Sequence, residues 1–280
     1  MKKVIGIDLG GTRVKAGLFY DGYLKKSVKN PSNADVSREA IIEAIRKCID
    51  ELWEDGVEQI GIVSAGDIDY VHGVCTLSFN LKGWTGCPIK AIFEEHYHVP
   101  VFVENDAIGA LLGELTLLPH EANATMLTFG TGVGGASVIE GRLSRSEKTT
   151  WGHVVLIPNG NLCVCGKKGC VESYLSAPAL LKMAQETIPS LTSTAELDQL
   201  YRAGKSEAVA IAKHYGQYLN LLLEKIENET HPDILILGGG LMAAKMMRDI
   251  ITIPKDRYVF AQLGNLAGVV GAASLPSPLQ

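Results

Sequence analysis

Short apolar runs punctuated by glycine open the chain. Residues 4–9 are apolar up to Asp8, Gly10-Gly11-Thr12 follows, and a second run covers residues 14–20. An Asp21-Gly22 pair then leads into residues 23–28. Three such runs joined by tight-turn residues predict a β-meander. Over residues 35–55 the spacing changes: Ile41, Ile42, Ile45, Ile49 and Leu52 recur at helical intervals, which predicts a helix with one buried face. Residues 60–63 and 99–103 read as buried strands, and residues 107–118 as a helix ending near Pro119.

The second half repeats the opening. Residues 125–129 are a strand, Gly130-Thr131-Gly132-Val133-Gly134-Gly135 is a glycine turn, residues 136–139 return, and Glu140-Gly141 makes the next turn. A repeated order of strand, glycine turn, strand and X-Gly turn predicts two domains of similar topology. The expected division is 1–118 and 119–280, with the boundary in residues 118–124 around Pro119, Glu121 and Asn123 and the C-terminal segment packing back on the first domain. Residues 206–229 form a long helix; residues 234–237 form a strand that runs into Gly238-Gly239-Gly240 and a further helix. The fold class is therefore α/β.

Composition narrows the function classes. The 280 residues are 46% hydrophobic and 20% charged, with a net charge of -5. That is ordinary globular composition with no basic block, so nucleic acid is not an expected partner. No apolar run is long enough for a membrane span, and Asp8 interrupts the N-terminal run too early for a signal peptide. Cys48, Cys75 and Cys87 lie in apolar stretches and read as reduced core thiols. Cys163, Cys165 and Cys170 cluster in one segment after His153. An odd number of thiols beside a histidine points to a metal site in a reducing compartment, and so to the cytoplasm.

Candidate chemistry falls at strand ends. Three glycine turns, at Gly10-Gly11-Thr12, Gly130-Thr131-Gly132-Val133-Gly134 and Gly238-Gly239-Gly240, each follow an apolar strand. Each alone is an ordinary tight turn. Together they offer the bare backbone N–H groups that a nucleotide triphosphate needs. The third precedes a helix, whose N-terminus favours phosphate or polar adenosine groups. Neither a Walker loop nor a dinucleotide fingerprint fits, because the middle turn leads into a strand. Asp8 is placed to hold Mg²⁺ through water. Glu104-Asn105-Asp106-Ala107 spans a strand–helix junction. Asp106 there suits a general base for a hydroxyl, and Asn105 suits a sugar hydrogen bond, although Asn or Asp at a helix start is often a cap. His153, Cys163, Cys165 and Cys170 supply one nitrogen and three sulfurs, a set that suits structural tetrahedral Zn²⁺.

Taken in order, Asp8-Leu9-Gly10-Gly11-Thr12, Glu104-Asn105-Asp106-Ala107, Gly130-Thr131-Gly132-Val133-Gly134-Gly135 and the segment from Cys163 to Glu172 resemble the marks of the ROK family, which includes repressors and sugar kinases. The resemblance implies two actin-like, hexokinase-type (ribonuclease H-like) domains flanking a cleft. It implies ATP and Mg²⁺ at the glycine turns, Asp106 as base, Zn²⁺ on His153 and the three cysteines, and a homodimer. The nucleotide set is then Asp8, Gly10, Gly11, Thr12, Lys15, Gly130, Thr131, Gly132, Gly134, Gly238, Gly239 and Gly240. The sugar contacts implied are Gly66, Asn80, Asn105, Asp106, His153 and Glu172. The expected activity is phosphorylation of a hexose hydroxyl, O6 of an aldohexose such as glucose, N-acetylmannosamine or a β-glucoside. One position departs from the family. A glutamate that bonds sugar hydroxyls usually stands three residues before the zinc-ligating histidine, and here Thr150 replaces it. Two other readings stay open. A repressor of this family carries an N-terminal helix-turn-helix, for which a strand starting at Val4 leaves no room. A catalytically weak sugar-binding or sugar-sensing protein has only Thr150 in its favour.

Overall fold

The computed structural model of the chain describes residues 1–118, 123–145, 150–276 and 279. The chain forms two compact units, Met1–His120 with Leu263–Gln280, and Glu121–Gln262. Pro119 and Glu121, where the sequence put the boundary, lie outside the described residues.

In the first unit β1 (Lys3–Leu9), β2 (Arg13–Tyr20) and β3 (Tyr23–Pro31) make the expected antiparallel meander. Helix α1 (Arg38–Leu52) starts later than the spacing alone predicts. Ser37 sets that start, because its hydroxyl accepts from the Ala40 N–H at 3.3 Å, satisfying one of the helix's orphan donors. Ile41, Ile45, Cys48, Ile49 and Leu52 form the buried face, each large apolar side chain contributing about 1.5–3 kcal/mol. β4 (Val57–Ser64) returns parallel to β1. A hairpin of β5 (Asp67–Asp69) and β6 (Val74–Leu77), then α2 (Ile89–Tyr97), follow. β7 (Val101–Asn105) pairs parallel with β4 and turns directly into α3 (Asp106–Leu115). This helix stops short of Pro119: from Thr116 on the backbone N–H groups bond three residues back, Thr116 to Gly113 O at 3.1 Å and Leu117 to Glu114 O at 3.0 Å, and the Thr116 hydroxyl also donates to Gly113 O at 2.7 Å. The sheet order is β3-β2-β1-β4-β7.

The second unit repeats that plan. β8 (Ala124–Phe129), β9 (Val133–Ile139) and β10 (Arg142–Leu143) form the meander. Helices α4 (Glu172–Leu175), α5 (Ala177–Gln185), α6 (Thr194–Arg202) and α7 (Ser206–Thr230) follow, then β11 (Ile234–Gly238), α8 (Lys245–Asp249) and β12 (Tyr258–Phe260). The sheet order β10-β9-β8-β11-β12 matches the first, with two antiparallel and two parallel pairings in the same places. The duplication read from the glycine turns is thus a duplication of topology.

Two expectations about the turns are corrected. The middle turn is shorter than six residues, because Gly134 and Gly135 are already in β9, opposite Thr128 and Leu127. Val133 starts that strand early because its apolar side chain is buried. The third turn leads not into a regular helix but into a single 3-10 turn, Gly240–Ala243, and then the five-residue α8. No long helix dipole therefore points at that turn, and its bare backbone is what it offers a ligand.

The chain ends back in the first unit with α9 (Ala267–Ala273), the sequence Ala-Gly-Val-Val-Gly-Ala-Ala. Small residues let it lie against backbone on two sides. A Cβ on Gly61 of β4 would stand 1.8 Å from the Ala272 carbonyl oxygen, and one on Gly271 would stand 1.7 Å from that of Gly109 in α3. Gly113 meets Ala267 in the same way, at 2.1 Å. The two helices therefore approach through facing small residues one turn apart.

Candidate active site

In the first unit Asp8 closes β1 and lies directly opposite Lys15 on β2. That register brings Lys15 Nζ to 2.9 Å from Asp8 Oδ2, with both side chains mostly shielded from solvent. Gly268 of α9 packs on the same carboxylate; a Cβ there would stand 2.8 Å from Asp8 Cγ. Sequence reasoning missed Gly268, since a glycine in an apolar helix carries no chemical signal. The turn beyond Asp8 closes through Gly10 N–H to Arg13 O at 3.0 Å and leaves Gly11 and Thr12 exposed.

Asn105 and Asp106 divide the work at the β7–α3 junction. The Asn105 side chain is the N-cap, its Oδ1 accepting from Ala107 N–H at 2.9 Å and Ile108 N–H at 3.2 Å. Its Nδ2 donates to Gly66 O at 2.9 Å. The capping alternative is therefore what the structure adopts for Asn105, and only its second amide hydrogen stays available to a ligand. Gly66 has φ +115°, and a Cβ there would stand 2.5 Å from Leu77 O, so no other residue fits. Glu104 is fully buried and accepts from Asn105 N–H at 2.9 Å. Asp106 opens α3, one carboxylate oxygen accepting from Ala107 N–H at 2.9 Å. Burial first, and the negative charge of Asp8 second, push its carboxyl up to about 6. Asn80 is exposed, in the loop beyond β6, with its backbone carbonyl beside Gly11.

In the second unit the middle turn closes through Gly130 N–H to Gly132 O at 2.9 Å, with Thr131 exposed. Glu172, the first residue of α4, reaches back to it: Oε2 accepts from Val133 N–H at 3.0 Å and would stand 2.5 Å from a Cβ on Gly132. At the third turn Gly239 has φ +90° and a Cβ there would meet Phe129 O at 2.3 Å. Gly239 and Gly240 are exposed. Beside Gly240 opens a cavity of about 470 Å³, with Thr194, Asp198, Gln199, Arg202 and Leu241 in its wall.

The thiol cluster forms as the sequence predicts. Trp151 is fully buried with its indole N–H on Ser137 Oγ at 3.1 Å, and Gly152 lies tight against the Val133 carbonyl. Pinned to β9 in this way, the next residue, His153, presents Nδ1 3.7 Å from Cys163 Sγ. Cys165 and Cys170 sulfurs are 3.6 Å apart, and all four ligand atoms lie within 4.8 Å of one another. Tetrahedral zinc with sulfurs at about 2.3 Å requires sulfur–sulfur separations of roughly 3.8 Å. The donor set and the spacing both fit. Burial, then the neighbouring thiols, push the Cys170 thiol up to about 12, an effect that a bound divalent cation reverses. Thr150 is exposed and makes no side-chain cap to the 3-10 turn Trp151–His153.

Two α/β units of identical strand order, each with glycine turns at its strand ends, define an actin-like, hexokinase-type protein. The chain belongs to the ROK family, whose model matches residues 4–277. It is 31% identical to the glucokinase of Thermotoga maritima over 98% of this chain and 96% of that one. It is 29% identical to an N-acetylmannosamine kinase of Vibrio cholerae over 87% and 85%. Its fold superposes on the crystal structure of a ROK glucokinase from Streptomyces griseus in complex with glucose and AMPPNP, with a TM-score of 0.82, 28% identity and 98% coverage of both chains.

Proposed function

We propose that the protein is an ATP-dependent kinase that phosphorylates a hexose hydroxyl, with Asp106 as the general base. The observation that carries this reading is the placement of Asp106: a carboxyl at the β7–α3 junction with one oxygen on the Ala107 N–H, in surroundings whose burial and Asp8 charge raise it to about 6. A base of that strength is ionised at neutral pH yet still accepts a proton from an alcohol as the new bond forms. The family relationship and the glucokinase and N-acetylmannosamine kinase relatives support the reaction class.

In this mechanism Asp106 takes the proton of the sugar O6 hydroxyl as that oxygen attacks the γ-phosphorus, and ADP leaves with the electrons of the broken P–O bond. The backbone N–H groups of Gly10, Gly11 and Thr12, of Gly130, Thr131 and Gly132, and the strand residue Gly134 line the phosphates. Gly238, Gly239 and Gly240 meet the nucleoside, whose base is seated in the cavity beside Gly240. Lys15 holds Asp8 Oδ2, and Asp8 would hold Mg²⁺ through water with Oδ1, a role that fits a cation that retains most of its waters. Magnesium bound there neutralises phosphate charge. Gly66, Asn80, Asn105, His153 and Glu172 orient the sugar. His153 has a second ring nitrogen for that role beside the zinc ligand, and Glu172 joins the zinc loop to the glycine turn. Zinc on His153, Cys163, Cys165 and Cys170 would be structural, since the protein would fill all four positions. Cys48, Cys75 and Cys87 are buried thiols outside the zinc cluster, in accord with a reducing cytoplasm, and no described helix is long and apolar enough to cross a membrane. The homodimer belongs to the same reading.

About one zinc per chain is expected in protein purified without chelator, and Cys170→Ser lowers that content and raises the sugar KM before the ATP KM. Metal analysis by plasma mass spectrometry checks the first, and zinc-free wild type with full activity overturns it.

Sugar choice turns on Thr150. A carboxylate replaced by one hydroxyl loses a charge-assisted bond worth about 1.5–3 kcal/mol, roughly ten- to hundredfold in kcat/KM, for sugars with a free hydroxyl there. Thr150→Glu is therefore expected to improve glucose more than an N-acylated or glycosidic hexose. Sugar-dependent ADP release over glucose, mannose, N-acetylmannosamine and a β-glucoside measures it. An equal change on every sugar removes Thr150 from specificity, and no ADP release with any sugar by wild type removes the kinase reading.

A further inference from the structure

The segment after β6 closes into a loop with Asn80 at its exposed crest. Its near limb is tied by Ser78 N–H to Thr85 Oγ1 at 3.0 Å, and Ser78 Oγ is buried with no hydrogen-bond partner among the described residues. Leu81 and Trp84 insert into the core, the indole N–H reaching Ser64 Oγ at 3.0 Å. Lys82 N–H donates to Ala34 O at 2.7 Å. The far limb, Gly83 to Thr85, turns at Gly83 and directs two carbonyls toward one side chain. Arg38 Nε donates to Gly83 O at 2.7 Å, and its Nη2 donates to Thr85 O at 2.8 Å. Arg38 is the first residue of α1, whose start is fixed by the Ser37 cap. The guanidinium thus stands on a rigid element and spans carbonyls two residues apart with a planar fork, which an ammonium cannot do.

We propose that Arg38 is a positioning residue for the sugar subsite, fixing the loop that carries Asn80 by bridging the carbonyls of Gly83 and Thr85. The inference rests on the reading of Asn80 as a sugar ligand. Arg38 acts on binding through Asn80 and has no part in the phosphoryl step. Losing both charge-assisted bonds loosens the far limb at Gly83 and Thr85, although Trp84 and the Ser78–Thr85 bond still hold it, and a loop that is fully ordered only on binding costs affinity for the ligand it orders around.

The test is steady-state kinetics on Arg38→Met, Arg38→Lys, Asn80→Ala and the Arg38→Met/Asn80→Ala double variant, with the accepted sugar and ATP each varied. Arg38→Met is expected to raise the sugar KM by about tenfold while the ATP KM and kcat change less than about twofold. Arg38→Lys, reaching one carbonyl, falls between wild type and Arg38→Met. The double variant has the sugar KM of Asn80→Ala, since the two changes act on one contact. An unchanged sugar KM in Arg38→Met, additive effects in the double variant, or an equal rise in ATP KM overturns the proposal. If Arg38→Met fails to fold, Arg38→Lys decides: a sugar KM equal to wild type rejects it. If Asn80→Ala leaves the sugar KM unchanged, the subsite reading itself fails; if it raises KM and Arg38→Met does not, only the role of Arg38 fails.

Discussion

Asp106→Asn is expected to lower kcat by roughly a hundredfold or more, as loss of a general base does, and to make the protein more stable at neutral pH. The two effects have one cause. Burial and the Asp8 charge raise the Asp106 carboxyl to about 6, from the 3.8 of a free aspartate. A raised carboxyl means that the folded state holds the proton more tightly than the unfolded chain. The protein therefore loses stability as pH rises from about 4 through about 6, by on the order of 2–3 kcal/mol at one unit of pKa per 1.36 kcal/mol. Asparagine cannot ionise and keeps an oxygen for the Ala107 N–H, so it removes that cost. In the wild type, kcat/KM should rise with pH through about 6 and level above it. Melting curves of both proteins at pH 4 and pH 7.5, with the pH–rate profile, check the account. Near-normal turnover in a folded Asp106→Asn, or an equal stability change at both pH values, contradicts it.

Gly271→Ala is expected to destabilise the protein by about 3 kcal/mol or more, beyond the usual cost of overpacking. The added methyl carbon would fall 1.7 Å from the Gly109 carbonyl oxygen. Backbone on α3 cannot rotate away, so the helices must separate, and α9 is also pressed on β1 and β4 through Gly6 and Gly61. The gain of about 1 kcal/mol in helix propensity from Gly to Ala works against this and is too small to cancel it. Gly109→Ala makes the contrast. Its methyl would meet Val63 Cγ1 at 2.4 Å and Val63 Cβ at 2.9 Å, a side chain rather than a backbone carbonyl, so a smaller shift of β4 relieves the overlap and the cost should be smaller, about 1–2 kcal/mol. Urea unfolding of the two variants gives the order. Gly109→Ala as costly as Gly271→Ala would count against the α3–α9 contact as the controlling feature.

The elements with strong periodic signals were legible in the sequence. The meanders, α1, α7 and the duplication follow from apolar runs and turn residues that local physics dictates. The hairpin β5–β6 escaped because three- and four-residue strands are too short to show alternation. Helix α9 escaped because all seven residues are small or apolar, which leaves no polar face to reveal a period. The thiol cluster was legible because metal ligands are rare residue types crowded in sequence. The double duty of the β7–α3 junction was half legible: the motif marked it, but only the structure shows that Asn105 caps the helix and Asp106 is the carboxyl left partly free. Arg38 was not legible, since its two partners are carbonyls 45 and 47 residues away and backbone carbonyls carry no sequence signature.

Phosphorus NMR of a reaction containing the protein, ATP, magnesium and glucose or N-acetylmannosamine distinguishes a sugar kinase from a sugar-binding protein. The account predicts one sugar phosphate monoester formed for each ADP, with the ester at O6, and no ester formation by Asp106→Asn on the same timescale. ATP turned over to inorganic phosphate without ester, or sugar bound with ATP left intact, would contradict it.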